Sequence, residues 1–425
     1  MKTKNGEWEK VKMETKNRES NAIKGKTSIK AQFMALLVCL TIAMPASALA
    51  IELTDYLDPN YQYHDAELGL QFDMRDGNQD QLSYNGTGYL TYDMEYSTLP
   101  LKWDVNLSAD TDFSRGGDDN DSSNRNIYID GDTTVKKYLG DYTGPFVYGG
   151  LLVGVRDLEA TDDDDPYLKV SAGLGYGRIT NATPLMEAIR CVEDLTKYGL
   201  IAGEVKDEVY LKLADVIAKE AEYKSRYSKR EYEKYWYEDM EIVLKEAGIL
   251  RNETLGALGI IRIQDILTDE QVLKRKHGWE SGVQVDYLIS DYSGNDDDPG
   301  LGAYFEYAKP YGLKWQLIDR VSYSTVLVDG EFGDAAHNIS NALELNYEMT
   351  DKIDWENIWK FDIVWESDSD RDDTYLNMID TGLRFYLSNT IDAKAGLQFN
   401  HKDQGDNPDD EIDSRFYFQM IYTIL

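Results

Sequence analysis

Carboxylates dominate the reactive side chains of this sequence, with 78 Asp and Glu against 44 Lys and Arg, 4 His and 2 Cys. Several stand in clusters, at Asp118-Asp119-Asn120-Asp121 and at residues 162–165, 296–298 and 409–411. Such clusters can hold Ca2+, and a loop site would draw on Asp118, Asp119, Asp121, Asp162, Asp163 and Asp164. None has the EF-hand order, with a glycine sixth and a closing Glu, so solvated loop charge is the favoured reading and no metal site is assigned. His64, His277, His337 and His401 are too scattered for zinc spacing. His337 and Ser340, the pair nearest to a strand-borne hydrolase, are three residues apart and point to opposite faces of a strand. The run Gly173-Leu174-Gly175-Tyr176-Gly177-Arg178 lacks the third glycine that a pyrophosphate cradle needs. Its glycines instead clear one strand face for a close neighbour, for which the helix beginning near Thr183 is the candidate. No catalytic constellation and no cofactor is expected, and the chain is read as a non-enzyme.

The other carboxylates follow a period of two, which sends alternate side chains to opposite faces of a strand. Leu68, Leu70, Phe72 and Met74 alternate with Glu67, Gly69, Gln71 and Asp73; Trp103, Val105 and Leu107 alternate with Lys102, Asp104, Asn106 and Ser108. The pattern recurs at 90–96, 279–289, 301–307, 315–327, 339–349, 357–365, 381–387 and 391–399. It ends on Phe416, Phe418, Met420, Tyr422 and Ile424. Less regular segments at 126–139, 146–156 and 167–179 bring the count to fourteen strands, with twelve or sixteen as the neighbouring values. Leu70, Tyr92, Val105, Phe361 and Phe418 belong to the apolar face. The opposite face carries Asp73, Asp93, Glu95, Asp104, Asp110, Asp286, Glu306, Glu344, Asp362 and Asp380, with Arg75, Lys102, Arg320, Arg384 and Lys394 among them. Closed on itself, such a sheet has an acidic lumen, which favours cations.

Residues 1–32 carry nine Lys or Arg against four Glu, 33–44 are apolar, and Ala48-Leu49-Ala50 follows. These are the marks of a secretory signal peptide spanning 1–50. Cys39 lies inside the apolar run, which argues against lipidation. Without that segment the chain has 74 acidic and 35 basic residues, a net charge of −39, and one cysteine, Cys191. A disulfide framework is excluded. Nucleic acid is excluded as a partner, since phosphate binding needs a basic face. No stretch after residue 50 approaches the roughly 20 apolar residues of a spanning helix. Alternating barrel strands average to a polar value and escape that test.

The connections alternate in kind. Long acidic ones at 76–81, 115–124, 157–166, 291–300, 329–336, 367–373 and 401–411 interleave with short ones at 97–100, 141–145, 309–312, 350–352 and 388–390. An even strand number then puts both termini on the short-turn side. Transmembrane barrels have short periplasmic turns and long external loops; a soluble sandwich has no reason to segregate its loops by charge. Tyr347-Glu348-Met349-Thr350-Asp351-Lys352-Ile353-Asp354 and Tyr386-Leu387-Ser388-Asn389-Thr390-Ile391-Asp392 resemble the tight turns of bacterial outer-membrane porin-type barrels. The aromatic closing strand is similar to the terminal signal read by barrel-assembly machinery, although the last residue is Leu425 rather than the usual Phe. This resemblance covers the strands, names no solute, and implies outer-membrane lipid and the assembly machinery as partners.

Between the sixth and seventh strands the period becomes helical. Thr183-Pro184 reads as a helix start, followed by Leu185, Ile189 and Val192. A second helix near 204–224 aligns Val209, Leu213, Val216 and Ile217. A third, capped by Ser228 and ended by Gly248, has the stripe Tyr232, Trp236, Met240, Val243, Leu244 and Ala247. Shorter pieces follow at 252–262 and from Thr268, which has capping-box spacing to Gln271. From Pro184 to Lys276 there are 19 acids and 16 bases, so the charge excess belongs to the barrel. Tyr227, Tyr235 and Tyr237, interleaved with Lys and Arg, are candidates for a partner surface.

The expected fold is thus an all-β transmembrane antiparallel barrel with an α-helical periplasmic insertion: signal peptide 1–50, strands one to six in 51–180, insertion 181–276, strands seven to fourteen in 277–425. The favoured function is a passive cation-preferring channel or porin-like transporter in the outer membrane. A structural or assembly protein whose periplasmic helices bind an envelope partner is the second reading, and an outer-membrane lipid-modifying enzyme the third.

Overall fold

The structure is a computed structural model and describes residues 51–57, 60–75, 80–140, 143–159, 165–228, 230–269, 272–294, 299–327, 336–366, 373–404 and 412–424. The proposed signal peptide, Asp162, Asp163, Asp164, the clusters at 296–298 and 409–411, and the Arg75 side chain lie outside the described residues.

Fourteen strands form one sheet: β1 (Tyr61–Arg75), β2 (Ser83–Ser97), β3 (Leu101–Arg115), β4 (Ser123–Tyr138), β5 (Pro145–Leu158), β6 (Tyr167–Asn181), β7 (Lys276–Ser290), β8 (Gly300–Tyr311), β9 (Trp315–Val326), β10 (Ala336–Thr350), β11 (Ile353–Glu366), β12 (Thr374–Ser388), β13 (Ile391–Gln404) and β14 (Asp413–Thr423). Each pairs antiparallel with its sequence neighbours, and β14 returns to pair with β1 over Glu67–Leu70, so the sheet closes on itself. Closure directs backbone pairing into the sheet, the condition for crossing hydrocarbon with strands, and the β1–β14 seam is its most briefly paired junction. At 11 to 16 residues the strands exceed the roughly ten that the apolar alternation marks. The ladder continues into polar ends such as Ser123–Asn126, where no apolar face signals it.

Contacts between non-adjacent strands identify the inner face. Lys136 of β4 pairs with Glu280 of β7, Lys276 of β7 with Glu95 of β2 at 3.2 Å, and Arg384 of β12 with Glu67 of β1 at 2.7 Å. Side chains that meet across the barrel lie inside it, and the register carries that assignment round the wall. Leu70, Tyr92, Val105, Phe361 and Phe418 take the outer parity. Leu70 and Phe418 are 58% and 55% exposed, which only an apolar surrounding makes tolerable across a whole wall. Aromatics mark both rims of this band: Trp315 stacks on Tyr347 at 4.2 Å near the short turns, and His337 lies between Tyr323 and Trp365 near the long loops.

Between β6 and β7 stand five helices: α1 (Thr183–Lys197), α2 (Asp207–Ile217), α3 (Glu220–Arg226), α4 (Tyr232–Glu246) and α5 (Gly256–Gln264). They emerge on the side of the short turns and of both strand termini. Their core holds Leu185, Leu195, Leu213, Trp236, Met240 and Leu244, joined by Ile51, Leu53 and Tyr56 from the segment before β1 and by Leu313 from the β8–β9 turn. That shared core fastens the helices to the barrel end.

Four local expectations need correction. The helix expected over 204–224 is two helices, broken between Ile217 and Glu220. Thr183 does not cap α1 with its own hydroxyl: Asn181 Oδ1 accepts from Thr183 N–H at 3.0 Å, while Thr183 Oγ1 accepts from Arg275 N–H at 2.9 Å. Thr268 does not start a helix but lies in the wide turn Asp265–Asp269 that ends α5, its hydroxyl donating to Gln264 O at 2.7 Å; Gln271 is outside the described residues. The segment that approaches the β6 glycines is not α1. A Cβ at Gly173 would meet the Tyr148 ring at 2.5 Å, and one at Gly175 the Phe146 ring at 2.2 Å, so the glycines make room for β5 aromatics lying across the lumen.

Candidate functional site: the lumen constriction and its helical cap

The inner wall changes character along its length. Towards the long loops Asp73, Asp110, Asp112 and Asp130 stand exposed. Towards the short turns the inward side chains are buried: Glu95, Lys102, Lys136, Glu280, Gln316, Glu348, Asp354 and Asp392 are all below 9% exposure. The loop end of the lumen is therefore open along β1 to β4, although Asp286 of β7 is buried there beside Lys169, and the short-turn end is filled.

Two layers fill it. In the first, Lys102 Nζ is 2.9 Å from Glu95 Oε1, Lys276 Nζ reaches Glu95 Oε2, and the Tyr61 hydroxyl donates to Glu95. Beside it Lys136 pairs with Glu280 and lies 5.7 and 5.6 Å from the Phe146 and Tyr304 ring centres. Tyr138, Phe146 and Tyr148 pack at tilted angles through this layer and Tyr148 meets Tyr304 edge to face, with centroids 5.2 to 5.8 Å apart. Aromatic faces carry partial negative charge and hold an ammonium in place. Arg178 completes the layer by donating to Leu99 O, Thr98 O and Ser97 Oγ on the β2–β3 turn. Strict alternation from Gly173, Gly175 and Gly177 would point Arg178 outwards. Gly177 at φ 101°, and Gly278 of β7 at φ 113° opposite Ile179, break the pleat and turn it in, a conformation that only glycine takes readily.

The second layer is the helical cap. Arg190 of α1 donates to Glu348 of β10 at 2.5 and 2.6 Å, and Arg275, fully buried, donates to the same carboxylate at 3.0 Å and to Leu313 O. Lys276 and Gln316 exchange two hydrogen bonds at 2.9 Å, and His277 Nε2 bonds Tyr56 O at 2.8 Å. Lys274 lies 3.2 Å from the Tyr63 ring centre; burial, with Lys276 beside it, pushes its ammonium down to about 8. The chain entering β7 thus runs across the mouth and is tied to β1, β9 and β10.

All of the proposed lumen acids and the described lumen bases take the inner parity. Glu95, Lys102 and Asp104 belong to the constriction, with Lys102 to Asp104 at 3.7 Å. Glu306 and Glu344 share Arg320, and Asp286 lies 3.5 Å from Lys169. Arg384 joins Glu67, Asp392 and Glu356, while Lys394 joins Glu356 at 2.8 Å and Asp380 at 3.9 Å. Asp93 and Asp362 are half-buried, and Asp73 and Asp110 belong to the open half. The sequence reading missed Lys136, Glu280, Glu348, Arg190, Arg275 and Lys276. Strand parity would have found Lys136, Glu280 and Glu348; nothing local marks the others. Of the proposed partner surface, Tyr227 and Tyr235 stack at 4.0 Å and are half-buried. Tyr237 is a correction: it is 5% exposed and packs on Trp236, so it is core. Asp118 and Asp121 form a turn in which Asp121 Oδ2 accepts from Asp118 N–H at 3.0 Å, and no cluster of three or more potential metal ligands occurs among the described residues.

A closed antiparallel barrel with an apolar outer band, aromatic rims and a polar interior is a barrel of the transmembrane kind. No protein-family model and no curated protein matches the chain. The solved structures it resembles are bacterial outer-membrane barrels. The translocator domain of the autotransporter NalP from Neisseria meningitidis is 7% identical over 93% of this chain and 97% of that one, with a TM-score of 0.28. An outer membrane channel from Pseudomonas putida F1 is 8% identical over 88% and 100%, TM-score 0.34. OmpF of Salmonella typhi is 8% identical over 87% and 99%, TM-score 0.30. These likenesses concern architecture alone.

Proposed function

We propose that the chain is a bacterial outer-membrane channel with a preference for cations, its long loops outside the cell and its helical cap in the periplasm. The observation that carries this reading is the asymmetry of the lumen: an open, carboxylate-lined half ends on a constriction made of side-chain ion pairs, not of backbone. Exposed carboxylates concentrate cations at the entrance. Ion pairs can exchange partners as a solute passes, whereas a wall of packed backbone cannot. The outer band takes lipid as its partner, and the aromatic closing strand supplies the signal for barrel assembly. No catalytic step is assigned to the chain.

The cap also favours a second reading. A lumen held shut at one end suits a structural or assembly protein that presents its helices to an envelope partner. Planar-bilayer recording of the Lys136→Ala/Lys276→Ala variant separates the two. Removing both ammoniums loosens the constriction and leaves Glu95 and Glu280 in the path. The channel reading expects conductance several-fold above the native protein and a reversal potential shifted further towards cations. A folded variant that stays silent supports the scaffold.

A further inference from the structure

Between the aromatic rims of the outer wall, carboxylates and carboxamides stand on one side among the described residues. The register puts Asp319 on the outer face of β9, midway between Trp315 at the short-turn rim and Tyr323 at the long-loop rim. It is the one carboxylate at such a position among the described residues. Asn341 stands beside it on β10 and donates to Asp319 Oδ1 at 2.6 Å and to Arg320 O at 3.2 Å. The same wall carries Asn357, whose carboxamide joins Thr381 at 2.6 Å. The outer faces of β2 to β8 carry no carboxylate or carboxamide between the rims among the described residues.

From this placement we infer that the β8–β10 wall around Asp319 is a contact surface between two copies of this chain. An ionisable group facing hydrocarbon is costly at mid-depth, and lipid tails offer it no donor. Asn341 spends both amide hydrogens within its own wall, which leaves one oxygen each on Asp319 and Asn341 as acceptors facing outwards. Tyr307 of β8, opposite Asp319 in the register, brings a phenolic donor to the same patch. Lys309, two residues further along the same face, turns its ammonium to the Tyr311 ring at the rim, 5.1 Å from its centre, so the patch sets donors beside two acceptors and is complementary to itself. In a twofold dimer residue i meets j while j meets i, so each Tyr307 meets the other copy's Asp319 and Asn341. The aromatic surroundings, Trp355 and Trp359 among them, match the composition of buried interfaces.

The inference rests on the membrane reading, and the test keeps the two apart. Val321→Cys places a thiol next to Asn341 on the outer wall; Val105→Cys on β3 is the control on a wall without carboxylate or carboxamide, and native Cys191 is buried. Both proteins are folded into phosphatidylcholine liposomes at low protein-to-lipid ratio and oxidised. The expected result is a disulfide-linked dimer for Val321→Cys, at least tenfold more abundant than for Val105→Cys. Adding Asp319→Leu/Asn341→Leu, or Asn341→Leu alone should the pair not fold, abolishes it while heat-modifiable mobility shows an intact barrel. Equal cross-linking at both positions, or cross-linking that survives these substitutions, overturns the inference. A chain that does not fold into the liposomes overturns the membrane reading instead.

Discussion

Phe361 and Asp362 are chain neighbours on β11 with opposite surroundings, the ring among Asn341 and Asn377 on the outer face and the carboxylate between Ser340 and Leu376 on the inner one. Arginine placed mid-depth on a lipid face costs about 2–4 kcal/mol, and on the lumen face far less. Phe361→Arg is therefore expected to lower the folded yield in liposomes well below that of Asp362→Arg, read from heat-modifiable mobility; equal yields contradict the register. In the helices, burial pushes the Glu187 carboxyl up to about 8, with Glu220 adding to the rise and Arg190 opposing it. A carboxyl raised in the folded state holds a proton that the unfolded chain has lost. The native form thus keeps its full advantage below about pH 4.5 and loses it as pH rises through about 8. Part of the Glu187 surface remains open, which keeps the effect modest. Helix melts followed by circular dichroism at pH 5, 7 and 9 are expected to fall in the native protein and to flatten in Glu187→Gln; parallel declines contradict the assignment.

At the scale of elements, the strands were legible because each one separates two solvents. Hydrocarbon selects Leu68, Leu70 and Phe72 while the lumen selects Glu67, Gln71 and Asp73, and the contrast survives in every regular strand. The helices were legible as stripes, Trp236, Met240 and Leu244 being the clearest. Their joints were not, because Ile217 to Glu220 and the Asn181 cap depend on packing and not on period. Tyr237 was misread because an aromatic between charged residues looks the same in sequence whether it faces solvent or a neighbouring Trp. The cap's attachment is distant in sequence: Glu348 joins Arg190 and Arg275 across 158 and 73 residues. Glu348→Gln leaves two guanidiniums without their carboxylate. Removing one partner of a fully dry pair costs about 3–5 kcal/mol, and less where lumen water reaches the site. Limited proteolysis within 198–206 is expected to accelerate in the variant while the barrel keeps its heat-modifiable shift; unchanged cleavage contradicts a cap held by this carboxylate. Cysteine labelling on intact cells is expected at position 118 and not at 224; the reverse inverts the topology.

For the whole molecule, the charge excess of the barrel over the helices was visible in composition, and so was the inner parity of the acids. What composition could not convey is that most inward acids at the short-turn end are already paired, so that the free field lies at the loop end. That division gives the account its central claim: a cation-preferring pore closed at one mouth by a cap. The direct measurement is planar-bilayer conductance of the native chain and of a chain with residues 184–274 replaced by a short Gly-Ser linker, each in a KCl gradient at low and high salt. Low conductance is expected from the native chain and a larger, cation-selective one from the shortened chain. The selectivity weakens as salt rises, because the Debye length falls from about 10 Å at 0.1 M to about 3 Å at 1 M. Silence from both chains, with the barrels shown to be folded, would contradict the claim.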